Sequence, residues 1–222
     1  MELINLNYIA NQFFNFSISS IKKINSDAKK SSVMCLFLEN NNKVYILLTK
    51  RSNNLSNHAG EICFPGGKPD PQDKDLVDTA LREAKEELGI QKALILGKLS
   101  SIPLYTSDFR LEPVVGFIDN SPLHPNPDEV SAILFVDLLR TIDLPKIDGI
   151  PTQLNGKKHL SPIFDPKDLI AEPPTTTPIY GGTAYVLLEL LTILGEVLQI
   201  ALPPIVESNR TFPFKTKTPV SN

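Results

Sequence analysis

A glycine- and proline-rich loop that runs directly into a helical pattern constrains the fold of this chain more than any other segment. The loop covers residues 64–71 (FPGGKPDP), and the helical pattern extends from about Asp75 to Leu88. Gly89 follows at the position where a residue in the left-handed conformation commonly ends a helix. The segment therefore predicts a loop, a helix and a second loop in close succession.

The predicted helix carries three glutamates on one face. Glu83, Glu86 and Glu87 stand at positions i, i+3 and i+4, and like charges at these spacings destabilise a helix by ~0.2–0.5 kcal/mol per pair. They also lie near the C-terminal end, where the helix dipole favours cations. A bound divalent cation such as Mg²⁺ or Mn²⁺ would relieve this repulsion, since both prefer carboxylate oxygens. The alternative is a solvated acidic face without a ligand.

The surrounding pattern predicts strands before and after this helix. Two apolar runs, residues 32–38 and 44–49, flank the turn-forming sequence ENNN and predict a β-hairpin. Further strands are predicted at residues 94–99, 111–118 and 132–136. Prolines are concentrated between Pro103 and Pro178, which predicts rigid, irregular loops in that region.

The two ends of the chain differ from its centre. Residues 1–30 are predicted to form a helical extension with a polar linker, residues 31–205 the main domain, and residues 206–222 a polar tail. A last helix is predicted from about Thr183 to Ile200, before Pro203. This stretch is long enough to cross a bilayer, but Glu189 and Glu196 disfavour that interpretation, and we expect a largely buried helix of a soluble domain.

Charge and cysteine content narrow the classes of partner. The formal net charge of −3 and the pI near 5.7 supply no basic surplus for duplex nucleic acid or anionic lipid. Cys35 and Cys63 lie in apolar runs, which is typical of buried thiols in a reducing compartment. The N-terminal sequence lacks the features of a secretory signal, so we expect a cytoplasmic protein. A homodimer is compatible with the sequence.

The segment from Gly67 to Ile90 resembles the Nudix box, G-x5-E-x7-R-E-U-x-E-E-x-G-U, in which U is bulky and apolar. Its right half matches closely at residues 82–90 (REAKEELGI), with Ala84 smaller than usual. The left half departs from the pattern, because Asp73 replaces the first glutamate and eight residues instead of seven precede Arg82. These departures resemble the boxes of the coenzyme A pyrophosphatase subgroup.

An upstream signature of that subgroup is also similar to this chain. Residues 47–52 (LLTKRS), Gly60 and residues 64–67 (FPGG) stand in the subgroup's register, and Ser56 replaces an arginine. Similarity continues at residues 112–116, 126–130 and 182–184, so the resemblance covers most of residues 32–195. The serine keeps open a related enzyme that cleaves another nucleoside diphosphate derivative, such as ADP-ribose, NADH or a dinucleotide.

The resemblance implies an α/β fold, the Nudix α/β/α sandwich with a mixed β-sheet. It also implies metal-dependent hydrolysis of coenzyme A or an acyl-CoA to 3′,5′-ADP and (acyl-)4′-phosphopantetheine, by attack of water. A nucleotide-binding regulator without catalysis is a further alternative, although it would leave the glutamates unexplained.

Site residues follow from the same resemblance and from the chemistry of each side chain. His58, His124 and His159 share no ligand spacing, and only His58 is kept as a contact of the substrate loop. The predicted set comprises Glu83, Arg82 and Glu129 as catalytic, Arg51, Phe64, Gly66 and Gly67 as substrate-binding, and Glu83, Glu86 and Glu87 as ligands of Mg²⁺ or Mn²⁺. The predicted core includes Leu36, Ile46, Leu48, Leu81, Leu88, Val115 and Phe135.

Overall fold

The β-hairpin predicted near the start of the domain is present. The structure is a computed structural model that describes residues 28–104, 108–154 and 157–212. Strand β1 (Lys29–Asn40) pairs antiparallel with β2 (Lys43–Arg51). Asn41 and Asn42 connect them with φ of 51° and 59°, the left-handed conformation that a two-residue hairpin turn requires and that asparagine tolerates.

Strand β1 lies inside a mixed sheet. The other strands of this sheet are β3 (Ile62–Cys63), β4 (Gly66–Gly67), β5 (Leu94–Lys98), β6 (Ile102–Pro103), β7 (Phe109–Phe117) and β8 (Val130–Asp137). Strand β7 runs parallel to β1, whereas the remaining pairs are antiparallel. The three strands predicted after the helix correspond to β5, β7 and β8, so those predictions are confirmed.

A long helix covers each face of this sheet. Helix α1 (Leu76–Leu88) packs on the face that carries Met34, Leu36 and Leu38, and it supplies Ala80, Ala84 and Leu88 to that half of the core. The opposite face carries Val33, Cys35 and Phe37, which alternate with the first set along β1. Helix α4 (Gly181–Leu198) packs there. The predicted α/β/α sandwich is therefore confirmed.

A second, smaller sheet combines a hairpin that lies between β8 and α4 in the chain with a strand that follows α4, and two short helices flank the hairpin. Its strands are β9 (Ile147–Leu154), β10 (Lys157–Ile163) and β11 (Ile205–Glu207), and the helices are α2 (Leu138–Ile142) and α3 (Pro166–Leu169). The region between Pro103 and Pro178, predicted to be rich in irregular loops, thus also contains a hairpin and two short helices that the sequence did not predict. Pro151 lies in β9 beyond the residues that pair with β11, and Pro162 lies in the edge strand β10, so neither proline blocks the pairing.

Most predicted core residues are buried, but one is not. Leu36, Ile46, Leu48, Leu88 and Val115 are at most 1% exposed. Leu81, on α1, is partly buried and packs against the core on that face of the sheet. Phe135, however, is 39% exposed, which corrects its assignment to the core.

The position of Phe135 in the sheet explains this exposure. Strand β8 pairs only with β2 among the described strands, so it forms an edge of the sheet. Helix α1 packs mainly over β1, β4 and β7, away from that edge. Phe135 makes an edge-to-face contact with Tyr45 instead, with ring centroids 6.3 Å apart.

Residues 1–27 of the predicted helical extension lie outside the described residues, and β11 crosses the predicted boundary at residues 205/206, so the domain limits stay predictions. By length and composition α4 passes as a candidate membrane span. It is the weak kind of candidate, because Leu187, Leu190 and Leu191 are buried in the core against the sheet.

Candidate active site

The local sequence places α1 directly beside the glycine turn. The Asp75 side chain accepts hydrogen bonds from the backbone N–H groups of Val77 (2.7 Å) and Asp78 (3.1 Å) and so caps the start of the helix. Gly89 ends it in the left-handed conformation, with φ of 73°. Strand β4, formed by the two glycines, pairs with Ser32 and Val33 of β1. The predicted start of the helix at about Asp75 and its predicted end at Gly89 are confirmed.

Gly66 and Gly67 give the glutamates of α1 room. A Cβ atom at Gly67 would collide with the Glu83 carboxylate, and one at Gly66 would collide with the backbone of β1. The Gly66 N–H donates to Glu87 Oε1 at 3.5 Å. The turn therefore needs glycine because the helix side chains and the strand approach its backbone so closely.

Arg82 contacts three acidic side chains of the site. Its Nη1 is 2.9 Å from both Glu83 Oε1 and Glu86 Oε2. Its Nε and Nη2 donate to the two carboxylate oxygens of Asp73 at 3.1 and 3.2 Å, and Nη2 also donates to the Lys68 carbonyl oxygen at 3.0 Å. The guanidinium thus joins the helix to the loop that precedes it, which is an orienting role.

Asp73 was not among the predicted site residues, although it holds Arg82 in place. Hydrogen bonds from Arg82 and the local turn lower the pKa of its carboxyl to about 2. The sequence carried one signal for this role, since Asp73 stands where the Nudix box has its first glutamate. The nine-residue separation of Asp73 and Arg82 spans a loop, so no helical periodicity could reveal the pair.

Glu87 and Glu83 are held in an environment that disfavours their ionised forms. Burial, together with the charges of Glu83 and Glu129, raises the pKa of Glu87 to about 8, although the Gly66 N–H and Arg51 act in the opposite direction. Burial also raises the pKa of Glu83, in spite of Arg82. Glu87 is only 3% exposed. Buried, mutually repelling carboxylates of this kind are typical of functional sites.

Arg51 enters the same site from the end of β2. Its backbone pairs with Val130, next to Glu129, and its charge acts on Glu87. The Nε atom is buried, and within the described residues it has no hydrogen-bond partner. Such an unsatisfied donor is costly without an acceptor, and a phosphate oxygen is a suitable one.

Cys63 and Phe64 lie beneath this site. The Cys63 sulfur is 3.5 Å from Thr49 Oγ1, and burial raises the pKa of its thiol to about 11. Phe64 is 2% exposed and packs in the core on the side of α4. The side chain of Phe64, predicted as substrate-binding, therefore supports the turn from inside the core.

The donor chemistry fits a divalent cation, although the side chains are not grouped as ligands here. Glu83, Glu86, Glu87 and Glu129 offer only hard carboxylate oxygens, and repulsion from neighbouring glutamates adds to burial in raising the pKa values of Glu83 and Glu87. Among the described residues, no three His, Cys, Asp or Glu side chains converge as a ready-made metal cluster. Glu86 is half exposed and pairs with Arg82.

Comparison with protein families identifies the family of this chain. A family model described as the NUDIX domain matches residues 28–154, more than half of the chain. The chain belongs to the Nudix family. The matched residues contain β1, the glycine turn, α1 and Glu129.

Curated Nudix relatives match about half of the chain. The uncharacterized Nudix hydrolase NudL of Yersinia enterocolitica is 39% identical over 117 residues, 51% of this chain and 60% of the relative. The peroxisomal coenzyme A diphosphatase NUDT7 of Mus musculus is 42% identical over 113 residues, 50% of this chain and 48% of the relative. The chain therefore spans about half to three fifths of the length of these two relatives.

Solved structures resemble this one more distantly. A MutT/nudix family protein from Enterococcus faecalis is 15% identical, with a TM-score of 0.48 over 89% of this chain and 76% of that chain. An Ap4A hydrolase binary complex from C. elegans is 21% identical, with a TM-score of 0.42 over 51% of this chain and 83% of that chain.

Proposed function

We propose that this Nudix protein hydrolyses the diphosphate of coenzyme A or an acyl-CoA to 3′,5′-ADP and (acyl-)4′-phosphopantetheine. The observation that carries the hydrolytic part is the buried carboxylate pair Glu83–Glu87 against the glycine turn, with Glu129 and the Nε of Arg51 at the same end of the sheet. The coenzyme A part is supported by the upstream signature and by the coenzyme A diphosphatase relative.

Glu83, Glu86 and Glu87 are the proposed ligands of Mg²⁺ or Mn²⁺, with Glu129 as a further donor. Bound there, the cation would supply charge stabilisation of the diphosphate and lower the pKa of a coordinated water. Arg82 keeps Glu83 and Glu86 oriented through its contacts at 2.9 Å. Glu83 and Glu129 are the candidates for the base that accepts the proton of the attacking water.

Arg51 and the glycine turn are the proposed diphosphate contacts. The buried Nε of Arg51 gains an acceptor when a phosphate oxygen binds, and the backbone of Gly66 and Gly67 allows close approach. The reaction uses water as nucleophile, so no covalent enzyme intermediate forms. A cytoplasmic location, expected from the sequence, fits this substrate class.

Ser56 favours a second candidate within the same chemistry. It lies exposed in the loop after Arg51, at the place where the subgroup signature has an arginine. Without that cation the loop offers less attraction to a highly charged substrate. A Nudix hydrolase of ADP-ribose, NADH or a dinucleotide is therefore the second candidate function.

Product analysis by mass spectrometry distinguishes these candidates. The purified chain is incubated with Mg²⁺ or Mn²⁺ and, separately, with coenzyme A, an acyl-CoA, ADP-ribose, NADH and a diadenosine polyphosphate. We expect metal-dependent release of 3′,5′-ADP and phosphopantetheine from coenzyme A. Cleavage of another substrate alone would overturn the coenzyme A assignment, and binding without turnover of any substrate would favour a regulatory role.

A further inference from the structure

Two lysine ammonium groups lie against one aromatic ring at the end of the sheet where β1 and β7 begin. Lys68 Nζ is 5.0 Å and Lys29 Nζ is 5.9 Å from the centroid of the Phe109 ring. Both distances are within the range of a cation–π interaction, about 6 Å. Both lysines are exposed. The ring therefore attracts one ammonium group from each of two separate segments at the solvent boundary.

The backbone that carries these lysines is fixed. Lys29 is paired with Phe109 in the parallel register of β1 and β7, and its N–H donates to the Asp108 carbonyl oxygen at 2.9 Å. The carbonyl oxygen of Lys68 accepts from Arg82 Nη2 at 3.0 Å. The pair is thus built from two segments whose positions do not depend on the lysine side chains themselves.

The pair also adjoins the proposed catalytic carboxylates. Lys68 directly follows Gly67, whose backbone lies against Glu83. Arg82 contacts Lys68 and Glu83 at once. An anion that binds both lysines would therefore sit beside the site of hydrolysis and outside the acidic cluster.

Carboxylates neutralise several other cations of the protein but not this pair. Lys43 Nζ is 2.9 Å from Asp137, Lys158 Nζ is 2.7 Å from Glu207, and Arg110 pairs with Glu112. Across the described ranges, no carboxylate forms an ion pair with Lys29 or Lys68. Two uncompensated like charges repel, and a bound dianion removes that repulsion.

We propose that Lys29, Phe109 and Lys68 form a subsite for a phosphate monoester on the nucleoside end of the substrate. This inference rests on the proposed function, since coenzyme A carries such a group on its ribose in addition to the diphosphate that is cleaved. The loop after Arg51, residues 53–60, contains no lysine or arginine and so supplies no cation for it. The subsite makes the 3′-phosphate the feature that the enzyme selects.

Comparison of coenzyme A with 3′-dephospho-coenzyme A tests the subsite. In the unmodified chain we expect kcat/KM to be roughly tenfold higher for coenzyme A, in line with charge-assisted hydrogen bonds to one phosphate. The double variant Lys29→Gln, Lys68→Gln should bring this ratio close to 1 by raising KM for coenzyme A while kcat stays unchanged. Phe109→Leu, which keeps an apolar residue but removes the aromatic face, should lose part of the preference.

Lys30→Gln is the matched control. Lys30 is exposed and adjacent to Lys29 on β1, but only its neighbour lies over the ring of Phe109, so the substrate ratio should not change. An unchanged ratio in the double variant, or an equal loss for both substrates, would overturn the subsite.

A binding measurement separates this inference from the proposed function. Calorimetry on the chelator-treated protein compares 3′,5′-ADP with 5′-AMP, and we expect roughly tenfold tighter binding of 3′,5′-ADP that the double variant abolishes. If neither form of coenzyme A is cleaved but this preference is present, the proposed function fails and the subsite stands. If the two nucleotides bind equally and coenzyme A is cleaved normally, the proposed function stands and the subsite fails.

Discussion

Helices α1 and α4 cover opposite faces of one sheet, yet different forces define them. The Asp75 side chain caps α1 at its start, and Gly89 closes it in the left-handed conformation. Within the described part of the chain no side chain caps the start of α4, and Gln199 rather than glycine adopts the left-handed conformation at its end. The local sequence therefore specifies α1, whereas burial of side chains specifies α4.

This difference matches what each helix contributes. The eight buried residues of α4 supply much of one half of the core: Ala184, Val186, Leu187, Leu190, Leu191, Ile193, Leu194 and Gly195. Helix α1 buries a narrower stripe that includes Glu87, and it carries Glu83 and Glu86 beside that stripe. Strong caps offset the ~0.2–0.5 kcal/mol that each like-charged pair costs, so the chemistry is placed on the helix that its own sequence holds.

The largest effect should follow from the same substitution made on each helix. We expect Glu86→Gln on α1 to lower metal-dependent kcat by at least roughly 100-fold, because it removes one proposed metal ligand and its charge. Its thermal midpoint should stay near that of the unmodified chain, since Glu86 is half exposed. The measurement is steady-state hydrolysis of whichever diphosphate the chain cleaves.

Glu189→Gln on α4 is the control for that result. Glu189 accepts a hydrogen bond from the Ser100 N–H at 3.0 Å, and the Gln oxygen can accept the same bond. Turnover should therefore change by less than about twofold. Near-normal activity of Glu86→Gln would contradict the metal assignment.

For the free energy of unfolding, substitutions on α4 should have the larger effect and substitutions on α1 the smaller one. Leu190 on α4 is fully buried, so Leu190→Ala should lower the free energy of unfolding by about 2–5 kcal/mol. Leu81→Ala on α1 removes the same atoms from a partly buried position and should cost clearly less. Urea denaturation with a common m-value measures both. Equal losses would mean that α1 depends on packing as much as α4 does.

The sequence predicted the parts of the fold that local chemistry decides. The Asn-Asn turn gave the hairpin, and Gly89 gave the end of α1, because both need the left-handed backbone conformation. The hairpin of β9 and β10 escaped prediction, since its prolines suppress the local strand signal. Only the tertiary structure shows that they are tolerated, because Pro151 lies beyond the residues that pair with β11 and Pro162 lies in an edge strand.

The site shows the same division. Spacing brought Glu83, Glu86 and Glu87 onto one helix, and the structure places them there. Spacing could not show that Asp73 holds Arg82 or that Phe64 turns into the core, because both depend on the path of the loop between β3 and α1. The pairing of Arg51 with the strand after Glu129 is likewise a tertiary contact.

Glu87 should make the active-site helix less stable as pH rises. Its pKa is about 8 in the folded chain against about 4.5 ordinarily, so the folded state binds the proton more tightly. The stability present below pH 4.5 is lost progressively as pH rises to 8. Glu87→Gln does not titrate, so in chelator-treated protein it should be more stable than the unmodified chain by about 2–4 kcal/mol at pH 7.

The pH series itself is the check on that prediction. Denaturant titrations at several pH values should show the two chains converging near pH 4.5 and diverging up to pH 8. A constant difference across this range would show that the substitution acts through packing rather than through the charge. A pH-dependent gain in stability from this substitution on α1 would also strengthen the contrast with α4, whose buried face is apolar.

The smallest effects on stability should come from substituting the left-handed residues that end the two helices. Gln199 has φ of 54°, a conformation that costs a non-glycine residue roughly 1 kcal/mol, so Gln199→Gly should stabilise the protein by up to about that amount. Gly89→Ala should have the opposite sign and a larger size. Its φ is 73°, and the added Cβ would lie 3.0 Å from the His124 side chain. Thermal unfolding of both variants measures the pair. If Gln199→Gly destabilises the protein, the glutamine makes a contact that compensates for its backbone, and the end of α4 is specified as locally as that of α1.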